Sequence, residues 1–160
     1  MTAKAIVVLG MTMVAGLGFL LAQDAPTPDK YSPAELTAME KKLEAKAAGT
    51  GLATMTIKKY ATDYTMLAFR SKSGQAEQHE KFADFYVVLG GKATLISGGK
   101  MVGGKTTEPG ELRGDSIQGG KETTLAKGDI VHVPANIPHQ LVLAQGDVFQ
   151  YYIVKVQEAN

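Results

Sequence analysis

Two periods divide the chain. Between Ser32 and Gly49 the apolar residues Leu36, Met39 and Leu43 recur at helical spacing, ringed by Glu40, Lys41, Lys42, Glu44 and Lys46. That stripe predicts one amphipathic helix with a narrow buried face. Ser32-Pro33-Ala34-Glu35 marks its start, because a serine hydroxyl can cap the first free amides while Glu35 reaches back and Pro33 gives up nothing at the first helical position. Gly49 and Gly51 mark its end. From Leu52 the pattern changes to short alternating runs separated by glycine-rich turns, the pattern of a sandwich or barrel. Strands are predicted over 52–60, 63–71, 75–79, 84–89, 92–97, 122–126, 129–133, 138–144 and 147–157. The glycine-rich stretch between Gly91 and Gly128 is read as a hairpin or a flap across one end of the barrel.

The last strand carries apolar residues on both faces: Phe149 and Tyr151 on one, Tyr152, Val154 and Val156 on the other. The outer face must then be covered, by the Ser32 helix or by a second copy in a homodimer. Before the helix the chain reads differently. Lys4 is the only charge in residues 1–22, and Ala5 to Ala22 is apolar or small throughout. This predicts a secretory signal peptide cleaved near Ala22 or Ala25, with a retained membrane anchor as the alternative. Asp24 to Tyr31, with Pro26 and Pro28, reads as a linker. The expected organisation is a leader or anchor at 1–22, linker and helix at 23–51, and an all-β domain at 52–160, in a periplasmic or secreted protein.

Composition narrows the partners. The 160 residues include 17 Lys and Arg, 16 Asp and Glu, and no cysteine. Removing Lys4 with the leader leaves basic and acidic residues balanced, and no basic stripe is visible, which argues against nucleic acid. Without cysteine no disulfide can form, so the domain depends on its packed core. There is no phosphate loop, no nucleophile elbow and no dinucleotide fingerprint after a strand. What remains is metal chemistry.

All three histidines stand in two stretches, Glu77 to Gly91 and Gly128 to His139, and two of them, His79 and His139, hold fixed places there. On a strand, residues two apart share a face, so Glu77 and His79 point the same way, and a neighbouring strand can bring a further acid to them. The first stretch reads Glu77-x-His79, four residues, Asp84, six residues, Gly91; the second reads Gly128, five residues, Pro134-x-Asn136, two residues, His139. These spacings resemble the two motifs of the cupin family. Glu77 stands where that family has its first histidine, Asp84 where it has glutamate, Asn136 where it has glycine and Leu143 where it has asparagine. The resemblance covers about 52–157. It implies a cupin-type double-stranded β-barrel (jelly roll) with one N-terminal helix, holding a divalent transition metal and taking a small molecule.

The resemblance implies Glu77, His79, Asp84 and His139 as the metal ligands. Aspartate is shorter than glutamate by roughly 1.5 Å from the same backbone position, so Asp84 either sits on an inward-shifted strand or acts through a water. In the second case it orients His79 or serves as a general base. Two imidazoles with one or two carboxylates form a hard donor set suited to Mn, Fe(II), Zn or Ni over Cu(I). Tyr86 shares the face of Asp84 and is expected at the pocket wall, as an acid, a hydrogen bond to substrate or an ordinary core tyrosine. Leu141, with Met66 or Phe69, is expected beside it. His132 is expected on the surface or packed on the sheet, and Asn136 is expected to tolerate a left-handed backbone. Three functions follow: a metal-dependent enzyme of oxygenase, isomerase or lyase type, a non-catalytic binding or sensing module, or a structural dimer unit.

Overall fold

The computed structural model describes residues 27–158. The apolar run 1–22, with its expected cleavage site, lies outside the described residues. The unit that carries the site begins at Tyr31. Its helix, α1, spans Pro33–Ala47 and starts as expected: the Ser32 hydroxyl accepts from the Glu35 amide at 3.3 Å, and the Glu35 carboxylate accepts from the Ser32 amide at 2.8 Å. Leu43 and Ala47 are buried against Leu67 and Phe69, with Leu36, Met39 and Tyr152 around them. The outer face of the sheet is therefore covered, at least here, by the helix.

The strands in chain order are β1 (Leu52–Lys59), β2 (Asp63–Arg70), β3 (Ala76–His79), β4 (Phe82–Ser97), β5 (Lys100–Val102), β6 (Lys105–Glu108), β7 (Glu111–Gly114), β8 (Ser116–Gln118), β9 (Lys121–Ala126), β10 (Ile130–Val133), β11 (His139–Val142) and β12 (Phe149–Gln157). All pairings are antiparallel. Ten strands form one sheet in the order β1-β2-β12-β4-β11-β3-β7-β6, with β9 and β10 also paired to β4, while β5 and β8 form a separate two-stranded piece. The large sheet curls because β4 serves both halves of it. Residues up to Gly91 pair with β12 and β10, whereas 92–97 pair with β9 and β11. This is the double-stranded β-barrel that the two motifs implied.

One expectation is corrected. The predicted strands 84–89 and 92–97 are one continuous strand, bent at Gly90 and Gly91. Gly91 has φ +72°, and a side chain there would run into the Val148 carbonyl, so the glycine pair reads as a turn in sequence but acts as a bend within a strand. Of the two readings of the glycine-rich insert, hairpin or flap, the hairpin is what forms. The insert contains β5 to β8, and its β6–β7 hairpin extends the main sheet beside β3.

Alternation sets what faces the interior. Ala68, Tyr86, Val88, Leu95, Leu141, Phe149, Tyr151 and Ile153 form the inner core, with Met66 packed against it. Phe69 faces the other way, into the helix cluster, so of the two candidates for the pocket wall Met66 is the one that lines it. Leu141 belongs to the inner core and not to the cavity lining. His132 lies on the outer face, stacked on Phe85 with centroids 4.2 Å apart and rings 11° from parallel. Asn136 adopts φ +63°, and its amide donates to the His79 carbonyl at 2.8 Å, tying the turn before His139 to the end of β3.

Candidate metal centre

Two cross-strand pairs face each other across the barrel mouth. Glu77 on β3 is the register partner of His139 on β11, and Asp84 on β4 is the partner of Lys155 on β12. His79 follows Glu77 on the same face by the two-residue period. The strands thus bring Glu77, His79, Asp84 and His139 together, with one donor atom of each within 4.8 Å of all the others. His79, Asp84 and His139 are buried and Glu77 is partly so. Asp84, short as it is, reaches the cup: its Oδ2 lies 3.4 Å from His79 Nε2 and 3.5 Å from His139 Nε2.

The ring orientations decide what the cup can hold. His139 Nδ1 lies 2.9 Å from the Ile137 carbonyl, which can only accept, so Nδ1 carries a proton. His79 Nδ1 lies 2.7 Å from Glu111 Oε2 and is held in the same way. Each Nε2 is thereby turned toward the carboxylates. In the neutral ring that atom is a lone pair, and His139 Nε2 is buried without a hydrogen bond, 3.5 Å from Glu77 Oε1. Lone pairs facing carboxylate oxygens repel unless a cation or a proton lies between them.

Two donors each about 2.1 Å from one ion, at angles between tetrahedral and square, sit about 3.0–3.4 Å apart. The contacts here are 3.4, 3.5 and 3.5 Å, with His79 to Glu77 Oε2 at 3.9 Å, slightly wider than a filled shell. The donor set and its spacing fit a divalent transition ion. In this state a different cation fills part of the cup: Lys155 Nζ donates to His79 Nε2 at 2.6 Å and to Asp84 Oδ2 at 2.8 Å, and stands 2.6 Å from Asp84 Oδ1. The last contact is an ion pair without hydrogen-bond alignment, which leaves Oδ1 without a bond of its own.

Electrostatics follow from this crowding. Burial pushes Glu77 up, but the facing His139, with Lys155 and His79, brings it down to about 2. Burial likewise works against ionised Asp84, and His139, His79 and Lys155 outweigh it, holding this carboxyl well below the usual range. Burial would lower His139, yet Asp84 and Glu77 raise it to about 9, so without a metal the ring carries a proton between the acids. Tyr86 donates to Asp84 Oδ2 at 3.0 Å. Burial, then the charges of Asp84 and Glu77, push its phenol well above its ordinary value, so Tyr86 stays a proton donor whose hydrogen is committed to Asp84.

Beside the cup lies a cavity of about 490 Å³, in the size range of small-molecule sites, whose wall includes Tyr64, Met66, Arg70, Arg113, Tyr151 and Ile153 together with Glu77, His79 and Asp84. Three residues whose side chains touch the four cup residues escape the sequence reading. Lys155 had a visible signal, since it shares the inward parity of Phe149, Tyr151 and Ile153, where a lysine is out of place. Glu111 and Arg113 had none, for they sit in the glycine-rich insert. Arg113 bridges Glu77 at 3.4 Å and Glu111 at 3.2 Å.

No protein-family model matches the chain, and no curated protein matches it in sequence. Solved structures of similar shape include the polyketide cyclase RemF from Streptomyces resistomycificus (13% identity, 69% of this chain and 69% of that one, TM-score 0.49). Others are KdgF from a Halomonas species (12%, 69% and 83%, 0.48) and the DMSP lyase DddQ from Ruegeria pomeroyi (15%, 66% and 46%, 0.48). This chain spans under half of the lyase.

Proposed function

We propose that this protein binds one divalent transition metal ion through Glu77, His79, Asp84 and His139 and acts on a small organic molecule in the adjoining cavity. One observation carries the reading: both imidazoles have Nδ1 tied to an outer acceptor, Glu111 or the Ile137 carbonyl, which aims both Nε2 atoms at two carboxylates. An outer acceptor on the far ring nitrogen is how proteins fix the tautomer of a metal-ligating histidine. The bound ion would act as a Lewis acid on a substrate oxygen or on a water, and the hard donor set favours Mn, Fe(II) or Zn over Cu(I). Around it, Tyr86 holds Asp84 in place, Arg113 holds Glu77 and Glu111, and Met66 and Ile153 give the cavity an apolar wall.

A second reading has its own support. Lys155 already places a positive group among the ligands, so the cup is internally neutralised without any ion, as a metal-free binding or sensing module requires. Elemental analysis separates the two. Protein purified without chelator is expected to hold close to one transition ion per chain, and His79→Ala with His139→Ala to hold none. Full-length protein that stays below a tenth of an ion per chain after incubation with Mn, Fe(II) and Zn salts would leave the metal-free reading in possession. The apolar run before Asp24 supports export of the mature domain, which mass determination of the N-terminus in the native host tests: a retained Met1 in a membrane fraction would replace cleavage with anchoring.

A further inference from the structure

The chain has two arginines, and both line the cavity. Their situations differ. Arg113 is paired with Glu77 and Glu111. Arg70, at the end of β2, is 9% exposed, and among the described residues no carboxylate lies within ion-pair distance of it. Its single hydrogen bond runs from Nε to the Tyr151 hydroxyl at 2.9 Å. Both terminal nitrogens of the fork are left without a protein acceptor.

A guanidinium this deep is costly to hold with unfilled donors, and the carboxylate that acts on it, Glu77, does so only from beyond ion-pair distance. Here the surroundings are shaped to keep it. Gly74 lies against the fork so closely that a Cβ would come within 2.6 Å of Nη1, and the Gly74 backbone is fixed by bonds to the Leu141 carbonyl and from the Gln140 amide. Tyr151 accepts from Arg70, so its own hydroxyl hydrogen remains free to donate. Burial keeps that phenol protonated. Tyr151 packs edge-on against Tyr86, centroids 5.4 Å apart, and Tyr86 reaches Asp84 of the cup. Two parallel guanidinium donors beside a phenol hydroxyl form a planar clamp, and its match is a carboxylate. The wider lining agrees, with three acids, Glu77, Asp84 and Glu111, against four bases, Arg70, Lys72, Arg113 and Lys155.

We infer that Arg70, with Tyr151, is the anchor for a carboxylate on the small molecule this site takes, the rest of the molecule extending along Tyr86 toward the four-ligand cup. The inference deepens the function proposed above and rests on its reading of the cavity as a ligand site, but it does not require the metal.

The probes are 4-bromobenzoate and succinate, with 4-bromobenzamide and succinamide as neutral counterparts and inorganic phosphate as a non-planar anion. Calorimetric titration of the full domain, once in chelator and once with Mn(II), should show saturable binding of at least one carboxylate and at least tenfold weaker binding of its amide. Arg70→Met should lose the carboxylate at least tenfold while its metal content stays that of the wild type, and Arg70→Lys should recover part of the loss. Should Arg70→Met fail to fold, crystals of wild-type protein soaked in 4-bromobenzoate serve instead, with anomalous bromine signal in the cavity and the carboxylate on Arg70. Equal affinity for acid and amide, equal affinity in Arg70→Met, phosphate preferred to both carboxylates, or no binding by wild type of either acid would each overturn the assignment. Carboxylate binding through Arg70 in protein that takes up no ion from Mn, Fe(II) or Zn salts would sink the metal reading and leave this one standing, whereas binding in chelator alone touches only the carboxylate anchor.

Discussion

Lys155 Nζ stands 2.6 Å from His79 Nε2, on the side of the ring where an ion would bind. The amine and a metal cannot share that lone pair, so loading the cup requires Lys155 to swing away. Two unit charges about 4 Å apart repel by about 4 kcal/mol at an effective dielectric near 20, several times the 1.4 kcal/mol that makes a tenfold difference. Lys155→Met is therefore expected to bind Mn(II) or Zn(II) at least tenfold more tightly than wild type, measured by competition with a chelating dye. Weaker binding in the variant would mean that the amine assists the ion.

Glu111 touches only the far nitrogen of His79, at 2.7 Å, and is itself clamped by Arg113. Glu111→Gln keeps the shape but replaces a charged group that can only accept with a neutral amide that can also donate, so the His79 tautomer is no longer fixed. Outer partners of this kind are worth about 10–100-fold in metal affinity, and the variant should fall in that range with its fold unchanged by circular dichroism. Wild-type affinity in Glu111→Gln would remove the orienting role.

Without metal, the acids and His139 pull stability in opposite directions along the pH scale. Glu77, lowered from 4.5 to about 2, and Asp84, lowered further, contribute stability that is full above their ordinary values and lost as pH falls through the folded ones. His139, raised from 6.5 to about 9, contributes stability that is full below 6.5 and lost as pH rises through about 9. Urea midpoints in chelator are expected to peak between about pH 4.5 and 6.5 and to decline above. Saturating Mn(II) takes the place of the His139 proton, so its added stabilisation should grow over the same alkaline range. A midpoint in chelator that climbs steadily from pH 7 to 9.5 would rule out the shared proton.

The helix tests separately from the cup. Leu43 is 1% exposed between Leu67 and Phe69, and Leu43→Ala removes three carbons from a closed cluster. A loss of about 2–5 kcal/mol in unfolding free energy is expected from transfer and cavity together, with metal stoichiometry intact. An effect under about 0.5 kcal/mol would mean that α1 is only loosely held.

Which parts of this architecture were legible in the sequence depends on how local the cause was. The cap at Ser32 and Glu35 needs four consecutive residues, and the pairing of Glu77 with His79 needs only the two-residue period. His139 was placed by the spacing around Pro134 and Asn136. Glu111 was out of reach, because its position depends on β7 pairing with β3 across more than thirty residues of chain. The bend in β4 was misread since paired glycines favour turns in isolation, and only the crossing of β12 keeps the strand continuous there. Lys155 is legible by parity alone, since it continues the inward alternation of Phe149, Tyr151 and Ile153.

β12 is the last of the described strands in chain order and yet lies between β2 and β4 in the middle of the sheet. A nascent chain that has not yet delivered Phe149 leaves both neighbours with bare edges, and Asp84 without Lys155 beside it. The C-terminal segment is the keystone of the arch, so any chain cut short before it should emerge from synthesis as a sticky, edge-exposed fragment and not as a smaller working barrel.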